Sequence, residues 1–448
     1  MQILALKEKI HDVLAKLRYE DSLRLLPFLI ASFIAAGTAI LYSMAFFKAE
    51  EFALDVVRDY HWALSLAITV SAVFLSWYIP FRLATQAGGS GIPQMLIANE
   101  LDPSLDKPII RTLIGIRVIV IKILASILAV LGGGAVGQEG PTLQIASGVF
   151  YRIGEKSTKW IQQASTRTFI LAGGASGLAA AFNTPLGGIA YALEELSRDS
   201  FNNFKTYVLW SVITTGLLVQ TFMGGYLYLG FPTLENVQLL TYFNVLAVAL
   251  IAGIAGCYFG SALYKITKIR RRIKSFTQLL SLNLICGILF WLGIFFLSNQ
   301  GVGGGKILII NILFKGAWAT PSDILVRMAG PLLMSLAGVA GGLFAPSLAI
   351  GAAVGSFWAQ IFWEHNHHLL VICGMIAFLT GFMRTPFTAF ILMFEMTDRH
   401  SALFPMMLAA VVAAGVSALI EKHSFYDLLK EDFLHAHEES LIQTKGPE

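Results

Sequence analysis

Residues 137–148 read "GQEGPTLQIASG", and residues 342–353 read "GLFAPSLAIGAA". Each has Gly first, Pro fifth, a small hydroxyl sixth, Leu seventh and Ile ninth. Further on, "LAGGASGLAAAFNTPLGGIAYALEE" (171–195) lies against "ICGMIAFLTGFMRTPFTAFILMFEM" (372–396), and after a shared Thr-Pro both reach a glutamate at the same distance, Glu194 and Glu395. The offsets are 205 and 201 positions. Two collinear matches at nearly equal spacing make an internal duplication a better reading than chance.

The surrounding chain is apolar. Of its 448 residues 56% are hydrophobic and 13% charged, and the mean hydropathy is +0.68, which no ordinary soluble domain shows. Uncharged runs cover Leu25–Phe47, Trp62–Phe81, Tyr207–Thr233, Gln238–Tyr264, Phe276–Gly305, Ala329–Trp363 and Leu403–Ile420. Most are long enough to cross about 30 Å of hydrocarbon as helices. The strand-type alternation of a membrane barrel is missing, so the expected class is an all-α polytopic membrane protein.

The first residues mix Lys7, Lys9, Lys16, Arg18 and Arg24 with acids and show no signal peptide. Residues 265–274, "KITKIRRRIK", form the densest basic stretch, and the positive-inside rule places them in the cytoplasm with the N-terminus. The expected organisation is a cytoplasmic segment 1–24, membrane halves 25–230 and 231–420, and a cytoplasmic segment 421–448 with no appended regulatory domain. A net charge of +4 needs no nucleic-acid partner. Cys257, Cys286 and Cys373 stand singly in apolar runs, as packed core cysteines rather than disulfide or zinc ligands. No cofactor or metal is expected; "HAHEE" (435–439) reads as a solvated tail.

Paired halves with short, Gly/Pro-broken apolar pieces mark secondary transporters, and the broken pieces point to the binding site. Gly137–Pro141 and Gly342–Pro346 should therefore face each other near the bilayer midplane. Each has Gly for a sharp turn and Pro near the first helical turn, where the missing N–H costs little. "GGSGIP" (88–93) has the same design. A helix that starts inside a membrane leaves backbone N–H groups unpaired and carries about half a positive charge, so converging starts suit an anion. The alternative is that the glycines only permit close helix packing.

Glu139 immediately precedes one such start. Ionised, its carboxylate would occupy the anion's place; protonated, it would swing away. Burial and the helix end act on its ionisation in opposite senses, which suits a group that titrates during a cycle.

These residues resemble the CLC chloride channel and transporter family. "GSGIP" (Gly89, Ser90, Gly91, Ile92 and Pro93), "GQEGP" (Gly137, Gln138, Glu139, Gly140 and Pro141) and "GGLFAP" (with Gly342, Leu343, Phe344, Ala345 and Pro346) match its three anion-site signatures in order and spacing. The resemblance implies the CLC fold, with two inverted-topology repeats of broken and tilted helices. It also implies a homodimer in the cell (inner) membrane, with a separate chloride pathway in each subunit and both termini cytoplasmic. Ser90 and Tyr426 would give hydroxyls to the central chloride, and Leu343 and Phe344 backbone amides. Glu139 would be the gating glutamate, Glu195 the internal proton-transfer glutamate, and Glu194 an aid to proton uptake. Chloride and protons would be the substrates.

Two departures from the family pattern stand out. Many relatives carry Arg or Lys where Gln138 stands, and Glu where Gln94 stands. Glu195 favours proton-coupled antiport over a passive channel, because an ionisable group in an apolar helix is best explained by proton movement. A remote alternative is an intramembrane serine protease, suggested by "GGSG" (88–91) and "GASG" (174–177). A serine nucleophile needs a base within reach, and the histidines all lie at span ends, loops or tails. Arg117 and Lys122 read as snorkelling or paired structural cations that could also raise the pathway's potential.

Overall fold

The structure, a computed structural model, describes residues 2–157, 165–196, 201–224, 229–234, 237–397 and 400–445, with side chains from residue 24 except 201–204 and 440–445. The side chains of Lys7, Lys9, Lys16 and Arg18 thus lie outside the described residues, as do positions 225–228 within the Tyr207–Thr233 run. Among the described residues there are helices and turns but no strand; Gly89–Ala340 and Gly137–Gly342 form isolated bridges. Among the described residues eight helices are long and apolar enough to cross a membrane.

The first half opens with Gln2–Asp59 and Trp62–Leu83, then breaks into Ile92–Glu100, Lys107–Ile114 and Ile116–Leu131. Glu139–Ser157, Thr166–Phe182, Pro185–Tyr191 and Phe201–Met223 complete it. The second half repeats that order: Leu239–Arg272 and Phe276–Leu292, the short Lys306–Phe314, Pro321–Ala337, then Phe344–Ile361, His367–Met383, Pro386–Thr397 and Leu403–Ile420. A last helix, Phe425–Lys445, has no counterpart in the first half.

The centre is formed by Thr166–Phe182 and His367–Met383, each 17 residues long. Both are buried on all faces over nearly their whole length, which is why their sequences carry no polar stripe. Their glycines let neighbours close in: Gly173 and Gly177 lie against the backbone of the Glu139 helix, while Gly374 and Gly351 pack on each other.

The Thr-Pro sequences start the equivalent helices Pro185–Tyr191 and Pro386–Thr397, and each half caps the other. The Glu194 carboxylate accepts the N–H groups of Phe387 at 3.0 Å and Thr388 at 2.7 Å. The Glu395 carboxylate accepts those of Leu186 at 3.0 Å and Gly187 at 2.8 Å. An acid on a helix N-terminus stabilises by roughly 0.3–1 kcal/mol, and up to ~2 when partly buried. A pairing that exchanges equivalent residues in this way is what a two-fold relation between the repeats produces.

The uncharged run Ala329–Trp363 is two helices, Pro321–Ala337, which ends where Gly338 takes a φ of +79°, and Phe344–Ile361, which starts at the Gly342–Pro346 motif. One helix runs from Gln2 to Asp59 through Pro27, so the N-terminal lead-in continues into the first span. The tail bearing "HAHEE" is not simply solvated: it is helical, and His437 Nε2 lies 3.0 Å from Asp106 Oδ1.

Candidate functional site

Three helices start where the glycine motifs lie, at Ile92, Glu139 and Phe344. Pro93 is at the second position of its helix, and Pro141 and Pro346 are at the third of theirs, all within the first turn, where no intrahelical N–H bond is lost. The loops touch through backbone. Gly137 and Gly342 exchange N–H···O=C bonds at 2.8 and 2.7 Å, and Gly341 N–H donates to the Gly89 carbonyl at 3.0 Å. A Cβ on Gly140 would lie 2.7 Å from Ser90 Oγ and 3.2 Å from the Gly342 Cα; one on Gly91 would lie 2.8 Å from the Gly140 carbonyl oxygen. Only glycine allows the three starts to converge this closely. Gly91 also sits at φ +102°, which favours glycine on its own account.

Glu139 is 1% exposed, and its Oε2 accepts the N–H of Ala345 at 3.3 Å. Its carboxylate also accepts from its own backbone N–H. The acid thus lies across the start of the opposite repeat's helix, where an orphan N–H of the first turn needs an acceptor. No described residue accepts the N–H of Leu343 or Phe344. Ser90 Oγ and Tyr426 Oη meet at 3.3 Å, both buried. Tyr426 is fixed by a buried cap beneath it, in which Ser424 Oγ donates to Asp427 Oδ2 at 2.9 Å and accepts the Asp427 N–H at 3.0 Å.

Glu195 lies in a π-helical turn, Ala192–Leu196, and is 8% exposed. Its charge acts on both Tyr191 and Tyr426. Tyr191, one turn before it, is fully buried, and its hydroxyl has no hydrogen-bond partner among the described residues. Glu194 points elsewhere, into the cap on Phe387 and Thr388, and also accepts from Thr388 Oγ1 at 2.7 Å.

The two glutamines have local work. Gln138 Nε2 donates to the Ala181 carbonyl at 3.3 Å, tying its loop to the end of the central helix. Gln94 Nε2 donates to the Gly88 carbonyl at 3.3 Å. Lys122 is fully buried, and its ammonium donates to the carbonyls of Gly89 at 2.8 Å and Gly88 at 3.2 Å, so it braces the Ser90 loop from behind. Arg117, by contrast, is exposed.

Sequence reasoning missed a second charge cluster, near Glu139. Glu50 accepts the Gly304 N–H at 2.8 Å, Arg327 donates to the Gly303 and Val302 carbonyls at 2.8 and 2.9 Å, and Lys306 lies within electrostatic reach of Glu50 and Glu139. The signal available was "GVGGGK" (301–306), a glycine run opening a helix. A half-open cavity of about 360 Å³ ends at Ser90 and Leu343. Among the described residues no cluster of metal-ligating side chains occurs.

A family model described as voltage gated chloride channel matches residues 72–418. The chain belongs to that family. The voltage gated chloride channel family comprises membrane transport proteins rather than enzymes, which removes the protease alternative; Ser90 faces the Tyr426 hydroxyl, not a histidine. The chain is 29% identical over 444 residues to an H(+)/Cl(-) exchange transporter ClcA of Klebsiella pneumoniae, covering 93% of this chain and 91% of that one. It is 26% identical over 456 residues to the ClcA of Salmonella typhimurium, covering 96% and 92%. Among solved structures it resembles a slow cyanobacterial Cl-/H+ antiporter with a TM-score of 0.79 at 22% identity, over 92% of this chain and 98% of that one. A CLC-type fluoride/proton antiporter follows at a TM-score of 0.73 and 20% identity, over 90% and 97%. These likenesses establish the CLC fold for this multi-pass membrane protein.

Proposed function

We propose that this family member is a proton-coupled chloride antiporter. The observation that carries the reading is the Glu139 carboxylate on the Ala345 amide, at the point where three helix starts converge. An acid held there supports a place suited to a negative charge, for which chloride would compete. Ser90, Tyr426 and the amides of Leu343 and Phe344 would form the central chloride site, one step further in. Hydroxyls and helix ends hold the ion less firmly than a cation would, which permits release.

In this cycle Glu139 gates. Protonated, it loses its attraction to the Ala345 amide and leaves the position to chloride; ionised, it returns and displaces the anion. Glu195 passes protons between the basic, cytoplasmic side and the site, in keeping with its burial near Tyr191 and Tyr426. Glu194 is engaged by the neighbouring helix, so its part in proton uptake would be the orientation of the turn that carries Glu195. The names of the similar ClcA proteins support exchange. The working protein would be a homodimer in the cell (inner) membrane with cytoplasmic termini and a pathway in each subunit.

Replacing Glu195 by Gln in reconstituted protein tests the assignment, because it removes a titratable group and little else. Chloride flux should persist while chloride-driven proton movement falls to background. Retention of full proton coupling would remove Glu195 from the pathway. A passive channel, the second reading, would show no chloride-driven proton movement in the wild type either.

A further inference from the structure

We propose that Lys107, Arg111 and Arg152 form a site for the phosphate of an anionic phospholipid at the membrane surface. The inference does not depend on the chloride reading, since none of these residues touches the anion site described above.

The helix Lys107–Ile114 is amphipathic. Ile110, Leu113 and Ile114 are buried against the protein, while Lys107 and Arg111, one turn apart, are half-exposed. Both reach one carboxylate on the helix Glu139–Ser157: Glu155 Oε1 lies 3.2 Å from Lys107 Nζ and accepts from Arg111 Nη2 at 2.8 Å. Its Oε2 accepts from Arg152 Nη1 at 3.1 Å. Three cations against one carboxylate leave two positive charges. The acids of the preceding loop are engaged elsewhere: Glu100 faces Lys430 at 3.8 Å, Asp102 accepts from Ser104, and Asp106 lies 3.0 Å from His437.

The guanidinium groups keep free donors. Among the described residues no hydrogen bond uses Arg111 Nη1 or Arg152 Nη2, and such N–H groups fork readily onto a phosphate. Beside them Tyr151 is 2% exposed, and its hydroxyl makes no hydrogen bond of normal geometry although it lies within electrostatic reach of Arg111 and Glu155. Buried hydroxyls ordinarily have a partner. A phosphate oxygen seated on Arg111 would give this one an acceptor.

The position favours a lipid over a free ion. Lys107 and Arg111 stand in the first turns of the membrane-spanning stretch Lys107–Leu131, at the level where basic side chains meet headgroups. From there Ile116, Val120 and Leu124, spaced four apart on one helix face, are exposed in a row that suits an acyl chain. The cluster also lies on the side of residues 265–274, because the last helix pairs Asp432 with Arg271 and His437 with Asp106. Basic pockets on that side are where anionic headgroups bind.

The test uses full-length protein in neutral detergent micelles offered equal amounts of phosphatidylglycerol and phosphatidylcholine, with the retained lipid counted by native mass spectrometry. The wild type should retain phosphatidylglycerol in preference. Arg111→Gln and Arg152→Gln should each lower that preference roughly fivefold, the scale of one basic side chain at an anionic surface. Glu155→Gln should raise it by a similar factor, because it removes the acid and leaves the cations; a purely structural cluster would show only lost stability. Tyr151→Phe should lower the preference roughly two- to tenfold, the scale of one hydrogen bond, and leave the lipid-free melting temperature unchanged. It decides the matter if the arginine variants do not fold. Equal retention of the two lipids by the wild type, or a preference that all four variants leave untouched, overturns the proposal. Inorganic phosphate that displaces phosphatidylglycerol at equal concentration would assign the cluster to a free ion and overturn the lipid reading.

Discussion

Gly137 and Gly342 hold each other by two backbone hydrogen bonds, one in each direction, and they are the same position of the two repeats. Their surroundings differ in one respect. A Cβ on Gly137 would run into the carboxylate of Glu139, whereas one on Gly342 would lie 2.8 Å from the Gly140 amide nitrogen and 3.0 Å from the Gly137 carbonyl oxygen. A side-chain tip can move; paired backbone cannot.

Gly137→Ala should therefore fold and dislodge the Glu139 carboxylate, giving more chloride moved per proton. Gly342→Ala should lose about 1–3 kcal/mol of stability, as overpacked sites do. Thermal unfolding in detergent, run beside paired chloride and proton fluxes, separates the two. Equal stability in both variants would contradict this difference between the loops.

The crosswise caps give a second expectation. Glu194→Ala and Glu395→Ala should each cost about 1–2 kcal/mol, because each leaves two first-turn N–H groups of the other repeat's helix without an acceptor. Thermal unfolding reads this directly. Glu395→Ala should leave the chloride-to-proton ratio unchanged, since its carboxylate caps a helix through the Leu186 and Gly187 amides, a structural role. A changed ratio would mean that the cap also sets the proton path.

Lys122 gives a third. Lys122→Met takes one donor from each of the Gly88 and Gly89 carbonyls, which keep the Gln94 amide and the Gly341 N–H, and should cost about 1–3 kcal/mol in all. The Ser90 loop should loosen and chloride bind less tightly. Chloride stabilises the folded protein by RT ln(1 + [Cl-]/Kd), so the rise of melting temperature with chloride should flatten in the variant. An undiminished rise would show that the loop needs no brace.

The three helix starts were legible because Gly and Pro act locally: they mark a turn and a first helical turn wherever they fall. The duplication was legible for the same reason, and it aligned Glu194 with Glu395. It could not show that each glutamate caps the other's helix, because exchange between halves is a property of their two-fold relation in space. Within the run Ala329–Trp363 the start at Gly342–Pro346 was legible, but the end of the preceding helix was not, since Gly338 interrupts a helix without interrupting the hydropathy. Gln138 was opaque for a different reason. Its partner is the Ala181 carbonyl, and a backbone acceptor leaves no trace in side-chain patterning. Arg270 read as one more charge in the basic stretch 265–274; only the fold lays its guanidinium against Gly338.

The central claim is that Glu139 and Glu195 couple chloride to protons through one site. It is tested most directly with wild-type protein in liposomes, by recording the reversal potential in a fixed chloride gradient while the pH gradient is varied. The account predicts a reversal potential that moves with the pH gradient, and protons driven uphill by chloride alone. A reversal potential that stays at the chloride equilibrium value at every pH gradient would contradict it and leave a passive channel.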